Sequence, residues 1–403
     1  MKKLIAVILA LVMVLAVFTA CSSGGSNDSP APSSAAPEAS SEPPVSTEPV
    51  APPASSSKPA NTIHTGSGVG FYSDDADWFG RPAYKFAYVC YGWTFLNELF
   101  GSAFTDWGKR VNFEFTTYDA QMDMNNFFAA CESYAGMGYE GIFIDPDPVV
   151  ARRVIEYCDE LRLYYMPVLN PLVDNDTRVY LGPAVNLDSY YMGEIQTQWF
   201  FDNYKNYWPD VNLEDIGFLY LFTASNENFR VSMEGSRDVY QKNAPELLSK
   251  CFLEGDMMGY DLNAQAGLEY CSTVITSHSE FKYWFITSCL EDIGQGGARA
   301  AEDLNIESNV IVLTNGVNWL IQDWDNGYEG CWVGGVHFGT AIWAEPMACG
   351  LIALVEGRAT YETLWGTEFV EEGQSFPCYP TPTKIVLKDT YKAYLQELDD
   401  YLA

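Results

Sequence analysis

From Tyr84 onward, short apolar or β-rich runs alternate with longer stretches whose apolar residues recur at helical spacing. The runs cover 84–91, 111–118, 140–145, 165–169, 215–222, 283–287 and 310–314. Between most of them a helical period spans 121–135, 149–161, 228–242, 263–275 and 341–355. A period near two marks a strand and one near 3.6 a helix. Their alternation predicts βαβ crossovers and parallel sheets. About ten such units exceed one open sheet of ordinary size, so the pattern predicts an α/β fold of two doubly wound lobes.

The first sixty residues break this pattern. Lys2 and Lys3 precede an apolar stretch from Leu4 to Phe18, closed by Thr19-Ala20-Cys21. A basic start, a short apolar core and small residues before a cut predict an export signal over 1–20. The alternative is an uncleaved anchor, because the apolar stretch nearly spans a bilayer. Of the 40 residues from 22 to 61, 28 are Ser, Pro or Ala, too little apolar surface to offset the entropy of folding. Residues 21–61 therefore read as a disordered tether, with a coil span of roughly 35 Å. A lead-in of unassigned role follows at 62–83, where Gly66-Ser67-Gly68-Val69-Gly70 reads as flexible. The folded body occupies 84–403.

Charge narrows the partners. Of 403 residues 54 are acidic and 22 basic, and only four acids and three bases lie in 1–61. The remainder keeps 50 acids against 19 bases, a net charge of −31. Such a body repels phosphate backbones and anionic headgroups, so nucleic acid is not an expected partner. Three scattered histidines, His64, His278 and His337, speak against a histidine-rich metal site. The nine cysteines after Cys21 show no short metal or redox spacing and mostly sit in apolar runs, as free buried thiols do. Asp74-Asp75-Ala76-Asp77 and Asp174-Asn175-Asp176 lack the glycine and distal glutamate of a calcium loop and read as turns. There is no nucleophile elbow, His-Glu-x-x-His, Walker loop or Rossmann fingerprint after a strand. The chain is accordingly read as non-enzymatic, with no cofactor and no metal.

In parallel α/β sheets ligands bind beyond the carboxyl ends of the strands. Those ends carry Gly92-Trp93-Thr94-Phe95, Asp145-Pro146-Asp147, Asn170-Pro171, Asn186-Leu187-Asp188, Ala224-Ser225-Asn226, Glu291-Asp292 and Thr314-Asn315-Gly316. Carboxylates and amides fork onto hydroxyl pairs and aromatic rings cover C–H faces, so the mixture suits a hydroxyl-rich small molecule. The competing reading of each tip is a turn or helix cap.

The order of these segments resembles the ribose- and galactose-type substrate-binding proteins of ABC transporters, the type I periplasmic binding proteins. Tyr84–Val89 followed by Trp93-Thr94-Phe95 is similar to the family's first strand and aromatic ligand loop. Glu140–Pro146 resembles its third strand and Met166–Asn170 its fourth. Asn186-Leu187-Asp188 with Gly193 resembles the crossover into the second lobe, and Arg230 with Gly235 a ligand-binding arginine and its glycine. Glu291-Asp292 with Gly297-Ala298, Leu313–Gly316, Leu354–Gly357 and Tyr379–Val386 follow in family order. Phe18-Thr19-Ala20-Cys21 resembles the bacterial lipobox, with phenylalanine where leucine is usual.

The resemblance implies two lobes joined by three hinge crossovers, about 84–186 with 338–376 and about 187–337 with 377–403. It implies a protein exported and lipid-anchored through Cys21 to the outer face of the cytoplasmic membrane. There it would capture a sugar-like ligand and deliver it to an ABC permease. The implied ligand residues are Trp93, Thr94, Phe95, Asp145, Asn170, Asp188, Arg230, Glu291, Asn315 and His337. Arg230 and Glu291, if they face one another, would offset each other's desolvation. Departures are marked: Asn170-Pro171 stands where the family has an Asp-Arg pair, and His337 or Phe338 where it has a glutamine. A sensory subunit presenting the same ligand to a receptor is the alternative, and an exported glycosidase a more distant one.

Overall fold

The computed structural model describes residues 66–174 and 177–402, all within one unit spanning Ser57–Ala403. The export signal, the tether, Cys21 and His64 lie outside the described residues.

Two parallel sheets form the core. The first is β2-β1-β3-β4, from β1 (Tyr84–Cys90), β2 (Phe113–Asp119), β3 (Gly141–Asp145) and β4 (Tyr164–Pro167). Alternate residues of β1 serve opposite faces, as the strand period requires. Phe86, Tyr88 and Cys90 pack with α1 (Phe95–Val111) and α9 (Thr340–Val355). Ala87 and Val89 face α2 (Met124–Gly136) and α3 (Ala151–Leu161). Both faces are covered along β1 and β3, which is why these two strands read as nearly continuous apolar runs, whereas the edge strand β2 is half exposed.

The second sheet is β12-β10-β9-β8-β6-β7. It comprises β6 (Ile216–Phe222), β7 (Phe252–Asp256), β8 (Tyr283–Ser288), β9 (Val310–Asn315), β10 (Trp332–His337) and β12 (Lys384–Leu387). Only β12 runs antiparallel, against β10. Its helices are α4 (Ser189–Tyr207), α5 (Glu227–Asn243), α6 (Ala264–Ser277), α7 (Glu291–Asp303), α8 (Asn318–Asp325) and α10 (Tyr391–Leu402). Between the sheets, β5 (Ala184–Leu187) pairs in parallel with β11 (Cys378–Thr381). The chain thus passes from one lobe to the other after β5, after β10 and after β11.

The glycines of the family-like pattern have a packing role. A Cβ on Gly193 would stand 1.8 Å from the Ser232 carbonyl oxygen, and one on Gly235 would stand 2.2 Å from that of Tyr190. They allow α4 and α5 to meet backbone to backbone. Across that seam the Tyr190 hydroxyl donates to Asp238 at 2.6 Å.

Two placements differ from the sequence reading. The 66–83 lead-in is not a loose approach to the domain. Phe71 and Trp78 are buried in the first lobe's core, where Phe71 meets Tyr379 edge-on with centroids 5.0 Å apart. The Tyr72 amide donates to Glu345 of α9 at 2.9 Å, and the Gly70 carbonyl accepts from the Trp365 indole at 3.2 Å. The cause is apolar: α9 is buried on every side, so the sheet and α1 alone leave part of it to be covered. Second, the sequence reading assigns the chain from 377 to the second lobe. Tyr379 packs in the first lobe's core, and the second lobe's core takes up the chain at β12 and α10.

Candidate functional site

The sequence-predicted ligand residues stand at or near the carboxyl ends of strands in both lobes. In the first lobe the loop after β1 is laced to its neighbours by backbone bonds: the Tyr91 amide donates to the Asp145 carbonyl at 2.7 Å, and the Met122 amide to the Tyr91 carbonyl at 2.7 Å. Trp93, 39% exposed, stands at this edge 6.2 Å from the Tyr88 ring, and Met122 is 73% exposed beside Gly92. Gln121, Met122 and Leu169 hold positive φ angles of 55°, 60° and 67°. Side-chain-bearing residues pay for that conformation, and such strain collects at functional loops. All three lie at this edge.

Thr94 caps α1, its hydroxyl accepting from the Asn97 amide at 3.4 Å while the Asn97 side chain accepts the Thr94 amide at 2.9 Å. Phe95 begins the helix, and its side chain lies outside the described ones. Asn97 is fully buried and spends both amide hydrogens, one on the Tyr88 hydroxyl at 2.6 Å and one on Asp145 Oδ2 at 3.0 Å. Burial pushes the Asp145 carboxyl up to about 6, against the downward pull of the Asn97 bond. Asn97 lies beyond the strand-end tip read in the sequence, inside α1; its signal is the Thr94-x-x-Asn97 spacing of a capping box. Asn170 follows the strained Leu169 and is exposed.

In the second lobe Asn315, at the end of β9 and nearly buried, accepts from the Gln196 amide, whose oxygen accepts from Thr287. Gln196, also missed, sits on α4 one turn from Met192 and Phe200, a polar group on an apolar face. Asp188 caps α4 through the Tyr191 amide at 2.9 Å, and burial raises its carboxyl.

Three sequence-predicted ligand residues are engaged elsewhere. Glu291 does not face Arg230. Its carboxylate accepts the amides of Asn318, Trp319 and Leu320 at 2.9, 2.6 and 3.1 Å, closing the start of α8. Burial pushes it up to about 7 while those donors pull it down. Arg230 bonds Glu227 at 3.1 Å and, on the same helix, Glu234. His337 is a core residue bonded to the Tyr394 hydroxyl at 2.8 Å, and burial lowers it to about 4. Of the other strand-end residues named in the sequence, Asn226 caps α5 and Asp147 accepts the Val149 amide at 3.0 Å to cap a short turn. Asp256, not singled out in the sequence, accepts the Ala224 and Met258 amides.

All nine described cysteines are free thiols, eight of them buried. No described group of His, Cys, Asp or Glu is arranged to hold a metal ion. A cavity of about 270 Å³ lies at the amino end of β10, lined by Trp324, Tyr328 and Trp332, at the opposite end of the sheet from these loops.

No family model matches the chain, and no curated protein matches it by sequence. Solved structures do. An arabinose-binding protein from Geobacillus stearothermophilus aligns over 78% of this chain and 99% of its own, with a TM-score of 0.57 at 15% identity. A galactofuranose-binding protein aligns over 79% and 100%, with a TM-score of 0.55 at 16% identity. An ABC transporter solute-binding protein from Bacillus halodurans, solved with myo-inositol, aligns over 79% and 99%, with a TM-score of 0.55 at 13% identity. The fold is that of the type I periplasmic binding proteins. The lobe crossovers follow β5, β10 and β11, and Trp93, Asp145, Asp188 and Asn315 stand at or just beyond strand ends.

Proposed function

We propose that this protein is a solute-binding protein of an ABC transporter, which captures a small hydroxyl-rich ligand, a sugar or polyol, between its lobes and hands it to a membrane permease. The observation that carries this reading is the two-lobed, three-crossover fold, which it shares with arabinose-, galactofuranose- and inositol-binding proteins over nearly their whole length. A ligand touching both lobes binds the closed arrangement more strongly than the open one, and that difference drives closure. Trp93 supplies a ring for a C–H face. Asp145, Asn170, Asp188 and Asn315 supply hydrogen-bonding groups, and Thr94 orders the loop that carries Trp93. The export signal over 1–20 and lipidation of Cys21 would hold the body outside the cytoplasmic membrane on the 21–61 tether. This address rests on the sequence pattern.

A thermal-shift screen of the full-length protein against pentoses, hexoses and inositols tests the reading. One class should raise the melting temperature in proportion to the logarithm of its concentration. Trp93→Ala should weaken that ligand by about tenfold or more without changing the unliganded melting temperature. No shift with any sugar or polyol would overturn the assignment.

A further inference from the structure

The strand-end loops carry guanidinium groups, but these are already engaged. Arg230 is held by Glu227 and Glu234, Arg178 approaches Glu227 at 3.9 Å, and Arg152 is paired with Asp174. Asp145 is in the opposite state. Its carboxylate, largely withdrawn from solvent at the end of β3, receives one side-chain bond, from the neutral Asn97 amide at 3.0 Å. Among the described residues it has no ion-pair partner. Asn97 cannot give more, since its second hydrogen is fixed on Tyr88 and its oxygen on Thr94. Asp188 likewise has an amide partner and no described cation.

A partly desolvated carboxylate with only a neutral partner is costly, and a cation placed against it recovers much of that cost. A neutral hydroxyl gives it a charge-assisted hydrogen bond but leaves the net charge uncompensated. An anionic group would meet Asp145, Asp188 and a body of net charge −31, with the strand-end arginines Arg152 and Arg230 already paired. We infer that the cleft selects a hydroxyl-rich ligand carrying a protonated amine, whose ammonium group docks on Asp145. The inference rests on the sugar-capture reading above and specifies its ligand class.

The test is calorimetric titration of the full-length protein with matched trios of neutral hexose, 2-amino hexose and hexuronate in the gluco, galacto and manno series, together with ribose, arabinose and myo-inositol. The expected result is one amino sugar bound about tenfold or more tighter than its neutral parent, with no binding of the uronate. Asp145→Asn should cancel that ratio. A neutral sugar or a uronate bound as tightly as the amine would overturn the inference and leave the sugar-capture reading standing, as would a ratio unchanged in Asp145→Asn. No binding by any member of the panel would overturn the sugar-capture reading itself.

Discussion

Glu291 separates a ligand group from a structural one, and the two roles predict different losses. Its carboxylate closes the start of α8 by accepting three consecutive backbone amides, and Leu320, the last of them, is completely buried. In Glu291→Ala all three lose their acceptor. A buried donor left unmatched costs about 1–3 kcal/mol, and water can reach the half-buried Asn318 and Trp319 in part, so the loss should total about 3–5 kcal/mol. Glu291→Gln keeps one oxygen for Trp319 and Leu320 but turns an NH₂ group toward the Asn318 amide. It should cost about 2 kcal/mol. Urea unfolding monitored by tryptophan fluorescence measures both, and titration with the ligand found in the screen measures binding by the folded fraction. Stability within about 0.5 kcal/mol of wild type in Glu291→Ala, together with lost ligand affinity, would refute the capping argument. The carboxylate would then belong to the ligand.

Other consequences follow from packing and protonation. Gly193→Ala drives a Cβ into the Ser232 carbonyl and should cost about 3 kcal/mol, read as a lowered urea midpoint; an unchanged midpoint would mean that α4 and α5 do not meet as described. Trp78→Ala removes the ring that stacks on Tyr72 and should cost about 3 kcal/mol, whereas a dispensable lead-in would leave the midpoint unmoved. His337 has a folded pKa of about 4, below its ordinary 6.5, so the unfolded chain binds the proton first. Its contribution is present above pH 6.5 and lost as pH falls toward 4, by at most about 3 kcal/mol. Asp145 and Glu291 are raised to about 6 and 7, so their contributions have the opposite sign and are lost as pH rises through those values. His337→Gln should therefore flatten the acid limb of stability against pH; an unaltered limb would place the proton elsewhere.

The sheets were legible because their central strands are buried on both faces and announce themselves as apolar runs. The run 310–314 became Val310–Asn315, and 283–287 became Tyr283–Ser288. The hinge strand Cys378–Thr381 is too short to carry a period and is recognisable by order alone. Candidate site residues were read less well because one side chain can serve two ends. Aspartate at a strand end is equally a ligand group or a cap, and only hydrogen-bond partners distinguish Asp145, bonded inward to Asn97, from Asp256, bonded to loop amides. His337 looked like a cleft residue because it ends β10, but α10, arriving from the far end of the chain, covers it with Tyr394.

By itself the sequence determined the α/β class, the two lobes and the acidic body, since these depend on local periodicity and composition; the crossovers entered only as what the family resemblance implies. Tertiary structure decided which charges are available. Arg230 and Glu291 are engaged by their own helix and by the start of α8, while Asp145 is left with an amide. A charge's availability depends on the partners that folding brings within about 3 Å. Arg230 finds them on its own helix, whereas the amides on Glu291 lie 27–29 residues away and Asn97 lies 48 residues from Asp145.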